Sequence, residues 1–470
     1  MNLPMDLLPV LEGLHSAEAF NSKFLQSFFQ RVEEIQRRPQ SFQGALQGRV
    51  IATVFFEPST RTRLSFEAAA LRLGGGVVSL ADPKASSHSK GETLQDTIRM
   101  LGSYADLVVL RHSAEGASRL AARCTPVPVI NGGDGWLGHP TQTLVDLATL
   151  NEEWGSLEGR TVGVMGDLLH GRTARSLAWG LALLGARMVL LPAPGLDWEP
   201  GFEARIAVRH GLRSRKVSHA LFRAWTGSPE ARLLEPRGLI QPRLFPGDGV
   251  AEPLERLDAL YLTRLQEERG ARTGCEGYPG LLPAQLEDPL LRDCLLLHPL
   301  PRRRELPRTI DADPRARYFH QAALGPVVRQ ALFLAFLRPD RWPLAALTPL
   351  PAGRMDSGLH PCPNERCVSR REGLEPTWRL AGFLPRRFLC AWCDAPLRVE
   401  YAGCRSTRRL HPVHSALVQR ISPENLRPFS SRDGGLAEGY VWSASGSTPP
   451  PPPRRKSESP GLNSRGQGVR

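Results

Sequence analysis

The order of apolar and polar positions along the chain predicts alternating helices and strands. Residues 17–37 carry apolar side chains at helical spacing, and RVIATVFF (49–56) is typical of a buried strand. A helix from about 59 to 73 follows, and the alternation continues to about residue 191. Further strands are predicted at 75–80, 105–110, 127–130, 160–166 and 186–191, and further helices at 92–105, 140–153 and 172–184.

This alternation indicates two α/β domains, each with a doubly wound parallel sheet that is covered by helices on both faces. We predict a first domain over residues 1–140 and a second over 141–340. Within the second, residues 197–256 are rich in Arg and Pro with weak periodicity, and no elements are assigned there. Strand candidates return at 257–264 and 294–301, before a final helix at about 321–337.

A different pattern follows the last predicted helix, because four of the eight cysteines are clustered. CPNERC and CAWC are two close cysteine pairs, with four and two residues inside the pairs and 22 residues between them; the cysteines are Cys362, Cys367, Cys390 and Cys393. Two close pairs of thiolates are typical of a closed tetrahedral zinc site, which folds a small domain and performs no chemistry. We therefore predict a small four-cysteine zinc domain at 355–415 and, after it, a disordered tail at 443–470.

Charge and hydropathy narrow the class of protein. The formal charge is +13, and residues 404–470 contribute 11 Arg and Lys against 4 Asp and Glu. A solvated tail explains this excess, and contact with nucleic acid is the alternative, without interleaved aromatic residues to support it. No apolar run reaches the roughly 18 residues of a membrane span, and the N-terminus lacks the pattern of a secretory signal. We expect a cytoplasmic protein.

The densest chemical signal is FFEPSTRTRLSFE, residues 55–67. A predicted strand runs directly into Ser59, Thr60, Arg61 and Thr62, where the next helix begins. Unpaired backbone N–H groups at a helix start, hydroxyl donors and a guanidinium group together suit a phosphate. The alternative is that Ser59 simply caps the helix and Arg61 lies on a solvated face.

The string resembles the carbamoyl phosphate signature of the aspartate and ornithine carbamoyltransferases, as does SSHSKGETLQDT (86–97). LHPLPR (297–302) and LTRLQEER (262–269) resemble the aspartate enzyme, and the resemblance covers residues 15–196 and 255–337. It implies transfer of the carbamoyl group of carbamoyl phosphate to the amine of L-aspartate. The products would be N-carbamoyl-L-aspartate and phosphate, in the second step of de novo pyrimidine biosynthesis.

The resemblance also implies roles for individual residues. Thr62, Arg111 and His139 would stabilise the carbonyl oxygen, Gln142 would bind the carbamoyl nitrogen, and no catalytic cofactor is expected. The complete set of implied substrate-binding residues is Ser59, Thr60, Arg61, Thr62, Ser86, Lys90, Arg111, His139, Gln142, Arg172, Arg264, Gln266, Leu300 and Pro301. Within it, Arg172, Arg264 and Gln266 would hold the aspartate carboxylates. Ser86 and Lys90 would enter the site of a neighbouring subunit in a homotrimer.

The text around the four cysteines resembles the zinc domain of the aspartate carbamoyltransferase regulatory chain. Only about 25 residues separate it from the last catalytic helix, which leaves no room for a nucleotide-binding domain. The implied arrangement is a catalytic chain that carries its own clamp for assembly, without nucleotide inhibition through the missing domain.

Three departures from the family pattern leave alternatives open. Arg304 stands where an acidic residue is common, Leu324 stands where Asn is usual, and 197–256 is not recognisably similar. A carbamoyltransferase for another amino acid is one alternative. A non-catalytic zinc-containing assembly subunit or a nucleic-acid-binding subunit is another, although the retained cations and His139 argue against lost catalysis.

Overall fold

The computed structural model describes residues 13–81, 87–237, 251–267, 278–348, 354–356, 359–381 and 387–443. The chain forms two compact units, of which the first runs to residue 398 in its described part and the second begins at Val399. Within the described part, no helix is both long and apolar enough to cross a bilayer.

The first half of the larger unit is built on a four-stranded parallel sheet of order β2-β1-β3-β4. Its two inner strands and β4 are almost entirely buried, which explains their near-continuous apolar sequence, whereas the edge strand β2 is largely exposed. The elements are α1 (Ser22–Arg37), β1 (Val50–Phe55), α2 (Thr60–Arg72), β2 (Gly76–Leu80), α3 (Leu94–Tyr104), β3 (Leu107–His112), α4 (Ala117–Cys124), β4 (Val129–Asp134) and α5 (Pro140–Trp154). Of these, α4 was not predicted.

The second half contains a seven-stranded sheet of order β11-β10-β5-β6-β8-β7-β9. Its elements are β5 (Thr161–Gly166), α6 (Arg172–Leu183), β6 (Arg187–Pro192), α7 (Pro200–His210), β7 (Leu212–Ser218), α8 (Ala220–Thr226), β8 (Glu230–Pro236), β9 (Glu252–Pro253), β10 (Ala259–Leu262) and β11 (Leu295–Leu297). The strands β11, β10, β5 and β6 are parallel, so the predicted class of parallel-sheet α/β domains is confirmed.

The stretch without predicted elements supplies the other part of this sheet. β8 pairs antiparallel with both β6 and β7. Along β7 only Leu212 and Val217 are buried, and they alternate to opposite faces of the strand, each of which also carries Arg or Lys. So few apolar positions in so short a strand explain the weak periodicity.

The helix α9 (Tyr318–Leu337) joins the two halves. It contacts α1, α2 and α5 of the first half and β11 of the second, and most of its side chains are buried. Its apolar residues therefore belong to a core that both halves share.

Residues 354–398 form a small antiparallel fold, which we call the cysteine module. It contains β12 (Arg354–Met355), α10 (Val368–Arg371), β13 (Thr377–Ala381) and β14 (Arg387–Cys390), with the sheet order β12-β13-β14. Its cysteines, Val368 and Trp392 lie in one hydrophobic cluster with Ala117, Leu120 and other residues of the first half. The module is thus packed into the same core as α4 and β3.

Polar contacts fix the register of this packing. Glu115 N–H donates to the Arg366 carbonyl, and Val368 N–H donates to the Glu115 carbonyl, both at 2.9 Å. The Arg119 guanidinium binds both carboxylate oxygens of Asp394, at 2.8 and 2.9 Å. Because this ion pair is buried, its two hydrogen bonds restrict how the module can sit.

The second unit is a small four-stranded sheet of order β17-β15-β16-β18 around Leu410, Phe429 and Tyr440. Its elements are β15 (Tyr401–Cys404), β16 (Arg409–Pro412), α11 (Ala416–Arg420), β17 (Leu426–Phe429), α12 (Arg432–Ala437) and β18 (Val441–Trp442). The predicted domain boundaries, including 355–415 for the zinc domain, remain predictions. The predicted tail lies outside the described residues beyond Ser443.

Candidate active site

A cleft of about 1050 Å³ lies where the carboxyl ends of the parallel strands of the two sheets meet. Residues after β1, β3, β5, β10 and β11 reach it, which is where open α/β sheets bind ligands. Twelve of the fourteen predicted site residues line it: Ser59, Thr60, Arg61, Thr62, Arg111, His139, Gln142, Arg172, Arg264, Gln266, Leu300 and Pro301.

The two remaining predicted residues lie elsewhere. Ser86 is outside the described residues, and Lys90 is exposed at the end of a short turn, away from the cleft of its own chain. The roles assigned to all fourteen residues remain predictions.

The cleft is strongly cationic. Among the described residues, eight arginines and one acidic residue, Glu57, line it; the arginines are Arg61, Arg111, Arg172, Arg264, Arg303, Arg329, Arg366 and Arg371. Arginine is always charged at physiological pH and its planar fork matches phosphate and carboxylate oxygens. The cleft therefore suits ligands that carry several negative charges.

The helix start predicted to bind phosphate forms as expected. α2 begins at Thr60, and Ser59 makes no side-chain capping bond, so N–H groups of the first turn lack acceptors in the helix. Partial burial, and then the nearby charge of Arg264, lower the pKa of the Arg61 guanidinium. Among the described residues no carboxylate lies within 4 Å of Arg61, so a bound anion would relieve this repulsion.

Glu57 links the two halves of the site and was not predicted from the sequence. Its carboxylate accepts from Arg111 Nη2 at 2.5 Å and from Arg172 Nη2 at 2.8 Å. The sequence FFEPST contains the feature that could have indicated this role, because Glu57 is a single carboxylate between a buried strand and a cationic helix start. Glu57 holds both guanidinium groups facing the same space.

The N-cap position of α5 determines the tautomer of His139. Its Nδ1 accepts the Gln142 backbone N–H at 3.3 Å, so the proton of the neutral ring is on Nε2. The His139 N–H donates to Ser176 Oγ at 2.8 Å, which fixes the start of the helix. In this tautomer Nε2–H is the ring group of His139 that can donate to a ligand.

A buried carboxylate orients Gln142. Asp146 Oδ1 accepts from Gln142 Nε2 at 2.7 Å and from Gln321 Nε2 at 2.6 Å. Burial raises the pKa of Asp146 to about 7, against the opposing effect of these bonds. With its amide nitrogen bound to Asp146, Gln142 presents its carbonyl oxygen as the acceptor for a ligand. Neither Asp146 nor Gln321 was predicted.

The loop at 298–301 is fixed by a buried histidine. His298 Nδ1 accepts the Leu300 N–H at 2.8 Å, and Nε2 lies 3.0 Å from Glu305 Oε1. Burial lowers the pKa of His298, so the ring is neutral and Nε2 donates. Leu300 has a φ of 50° and the Leu300–Pro301 bond is cis. The loop thereby brings backbone groups to the cleft wall.

The four clustered cysteines are close enough to share one metal ion. All four Sγ atoms lie within 4.8 Å of one another, and the Cys362–Cys393 and Cys367–Cys390 distances are 3.5 and 3.7 Å. A tetrahedral ion with Zn–S bonds of about 2.3 Å requires S···S distances of about 3.8 Å. The four buried thiols therefore fit a zinc ion, and none of the cysteines in the described ranges forms a disulfide.

Comparison with known proteins identifies the class of protein to which this chain is similar. A family model for the carbamoyl-phosphate-binding domain of aspartate and ornithine carbamoyltransferases matches residues 13–152. The aspartate carbamoyltransferase catalytic subunit of Thermofilum pendens is 40% identical over 338 residues, 71% of this chain and 95% of the relative.

Solved structures agree with these relatives. The catalytic subunit of M. jannaschii aspartate transcarbamoylase has a TM-score of 0.57 at 31% identity, over 70% of this chain and 99% of that one. Aspartate transcarbamoylase from Trypanosoma cruzi, in complex with carbamoyl aspartate and phosphate, has a TM-score of 0.56 at 32% identity, covering 69% and 96%. The chain belongs to the aspartate carbamoyltransferase family.

Proposed function

We propose that this chain transfers the carbamoyl group of carbamoyl phosphate to the amine of L-aspartate, as an enzyme of pyrimidine biosynthesis. The observation that carries the proposal is the cleft, where eight arginines and one glutamate surround the exposed start of α2. Such a site can hold a phosphate and two carboxylates side by side. The family to which the chain belongs supports the same choice of substrates.

In the proposed reaction the aspartate amine attacks the carbamoyl carbon. A C–N bond forms, negative charge builds on the carbonyl oxygen, and the C–O bond to phosphate then breaks. The departing phosphate takes the proton that the amine nitrogen loses. Thr62, Arg111 and His139 Nε2–H donate to the carbonyl oxygen. Donors placed in advance where charge develops stabilise the transition state, each by roughly 3 kcal/mol.

The other cleft residues bind and orient the substrates. Ser59, Thr60 and Arg61 hold the phosphate at the helix start, and the Gln142 carbonyl oxygen accepts from the carbamoyl nitrogen. Leu300 and Pro301 bind that nitrogen through their backbone. Arg172, Arg264 and Gln266 hold the aspartate carboxylates. Holding both substrates in contact removes much of the entropy cost of a two-substrate reaction.

The cysteine module completes the proposal as a structural zinc site resembling that of the aspartate carbamoyltransferase regulatory chain. Cys362, Cys367, Cys390 and Cys393 would ligate the ion as thiolates. Bound zinc would hold the module folded and leave no coordination position for a substrate. Reduced thiols in the described residues fit a cytoplasmic enzyme.

We also propose a homotrimer in which Ser86 and Lys90 complete the site of a neighbouring subunit. Exposed apolar side chains support a subunit interface, because Leu64 and Leu71 on α2 and Val78 on the edge strand β2 are 50%, 63% and 40% exposed. Apolar groups exposed together mark subunit contacts more often than free surface.

The experiment is a carbamoyl aspartate assay on purified protein and on Arg61→Ala and Arg111→Ala. We expect either change to lower kcat/KM at least about 100-fold without unfolding the protein. Arg304→Ala is the matched control, since Arg304 is exposed and absent from the cleft wall. Wild-type turnover with ornithine in place of aspartate, or full activity in both variants, would contradict the proposal.

A further inference from the structure

We propose that the cysteine module supplies two substrate-binding residues, Arg366 and Arg371, whose guanidinium groups bind a phosphate or carboxylate oxyanion in the cleft. The inference rests on the proposed function and deepens it. Both side chains line the cleft, although the module lies more than 200 residues after the phosphate motif.

Arg371 reaches the cleft from the end of α10. Its Nη1 donates to Ser113 Oγ at 2.9 Å, and Ser113, itself a cleft residue, follows Arg111 by two positions at the end of β3. Among the described residues no carboxylate lies within ion-pair distance of Arg371. Its positive charge is therefore available to an anion bound beside Arg111.

Arg366 approaches from the same side with a more constrained geometry. Its guanidinium carbon lies 3.3 Å from the centre of the Trp136 ring, and its Nε donates to Glu115 Oε1 at 2.9 Å. Within the described part of the chain its two Nη groups have no hydrogen-bond partner. Stacking and the Glu115 bond orient the guanidinium, which leaves the two Nη groups for a ligand.

Trp136 connects Arg366 to the chain segment that binds Arg172, a predicted carboxylate-binding residue. The preceding residue, Gly135, accepts from Arg172 Nη1 through its carbonyl at 3.1 Å. An oxyanion held by Arg111 or Arg172 would thus lie on the side of the cleft that Arg366 and Arg371 line. The two possible sources are the phosphate of carbamoyl phosphate and a carboxylate of aspartate.

The fold of the cysteine cluster fixes both side chains. Arg366 immediately precedes Cys367, and the Arg371 N–H donates to the Cys367 carbonyl at 3.2 Å. Substrate affinity should therefore depend on an intact module, although the cysteines themselves contact no substrate.

A purely structural role for the two arginines is the competing explanation, since Arg366 pairs with Glu115 across the module contact. Arg370 allows the two to be separated. Arg370 lies in α10 beside Arg371, is exposed, and is not part of the cleft wall.

The test compares Arg371→Gln, Arg366→Gln and the control Arg370→Gln in the full chain. Steady-state KM for each substrate, kcat, and calorimetric binding of N-(phosphonacetyl)-L-aspartate are measured together with the unfolding temperature and zinc content. We expect Arg371→Gln to raise one KM roughly 3- to 10-fold with kcat nearly unchanged, and Arg371→Lys to restore most of the affinity. The control should match the wild type.

The KM that rises identifies the oxyanion as phosphate or carboxylate. If Arg371→Gln and Arg366→Gln keep both KM values within twofold of the wild type while Arg61→Ala is inactive, the inference is wrong and the proposed function stands. If Arg371→Gln changes only the unfolding temperature, the arginine is structural and the inference is again wrong. A wild-type chain that forms no carbamoyl aspartate would overturn both.

Discussion

At the scale of single residues, the site depends on side chains that contact no substrate. Asp146 is buried and receives two amide hydrogen bonds on Oδ1, and the buried Tyr261 hydroxyl also interacts with its carboxylate. A carboxylate in this position loses hydration without full compensation, which explains its raised pKa. Its contribution is to orient Gln142, whose amide must present oxygen to the cleft.

Asp146→Asn should separate this orientation from the charge. The folded-state pKa of about 7 exceeds the ordinary 3.8, so the folded protein holds this proton more tightly than the unfolded chain. Wild-type stability should therefore fall as pH rises from about 4 to 7, by up to about 4 kcal/mol. Asparagine does not titrate and still offers Oδ1 to both amides.

We expect the variant to gain stability relative to the wild type between pH 4 and 7, with a constant difference above pH 7. Urea unfolding at several pH values measures this. If the stability of the variant and of the wild type changes with pH in parallel, Asp146 does not titrate in this range. Activity gives a second test: Asp146→Ala removes the acceptor for the Gln142 amide and should lower kcat/KM, whereas Asp146→Asn should not.

At the scale of secondary-structure elements, the contact between α4 and the cysteine module depends on a glycine. Gly116, at the N-cap of α4, has a φ of 86°, and a Cβ there would lie 2.5 Å from the Trp392 carbonyl oxygen. A side chain at this position would meet both backbone strain and a fixed backbone atom.

Gly116→Ala should lower the free energy of unfolding by about 3 kcal/mol and loosen the module, as detected by denaturant unfolding and limited proteolysis. Gly155→Ala is the matched control, because Gly155 also has a positive φ of 69° but open space around it. Its expected loss is about 1 kcal/mol. Equal losses at both positions would mean that the module does not press on α4.

Removal of the proposed zinc ion tests the contact between the cysteine module and α4 from the side of the module. Because the cysteines share a hydrophobic cluster with α4, a chelator should unfold the module, expose apolar residues of the first half and lower the unfolding temperature. Elemental analysis should find about one zinc per chain, lost in Cys367→Ser. Cys404→Ser, outside the cluster, should retain it. Chains without zinc that unfold at the same temperature would contradict a structural role.

Elements with strong local signals could be predicted from the sequence, and those defined by tertiary contacts could not. The strand over 50–55 and the helix over 60–72 follow from an apolar run and a helix start. The eight-residue α4 is short and has Leu120 as its one large apolar residue, and β7 has only two buried positions, one on each face. Their structures depend on partners that are distant in sequence.

The same distinction applies to the candidate site. Twelve residues in recognisable motifs reached the cleft, whereas Glu57, Asp146 and Gln321 were missed because their role is to bind other side chains. Arg366 and Arg371 were missed because no local pattern shows where the cysteine module docks.

At the scale of the whole molecule, shared active sites can be tested by complementation. Arg61→Ala and Lys90→Ala chains should each be inactive alone, because each homotrimer would lack one component at every site. After mixed dissociation and reassembly, about three-quarters of random trimers contain both chains, and each would have one of three sites intact. We expect roughly a quarter of wild-type activity, with unmixed samples carried through the same cycle as controls. No recovery in verified mixed trimers would show that Lys90 does not act in a neighbour's site.

The cysteine module and the surface it covers belong to one polypeptide, so their association does not depend on protein concentration, either in a purified sample or in the cell. A module on a separate chain would be lost on dilution below its dissociation constant, and its occupancy would depend on matched expression of two genes. A tethered module meets its surface at an effective concentration set by the connecting chain, independent of how much protein is present. Every copy therefore keeps its module at a one-to-one ratio, however scarce the protein becomes.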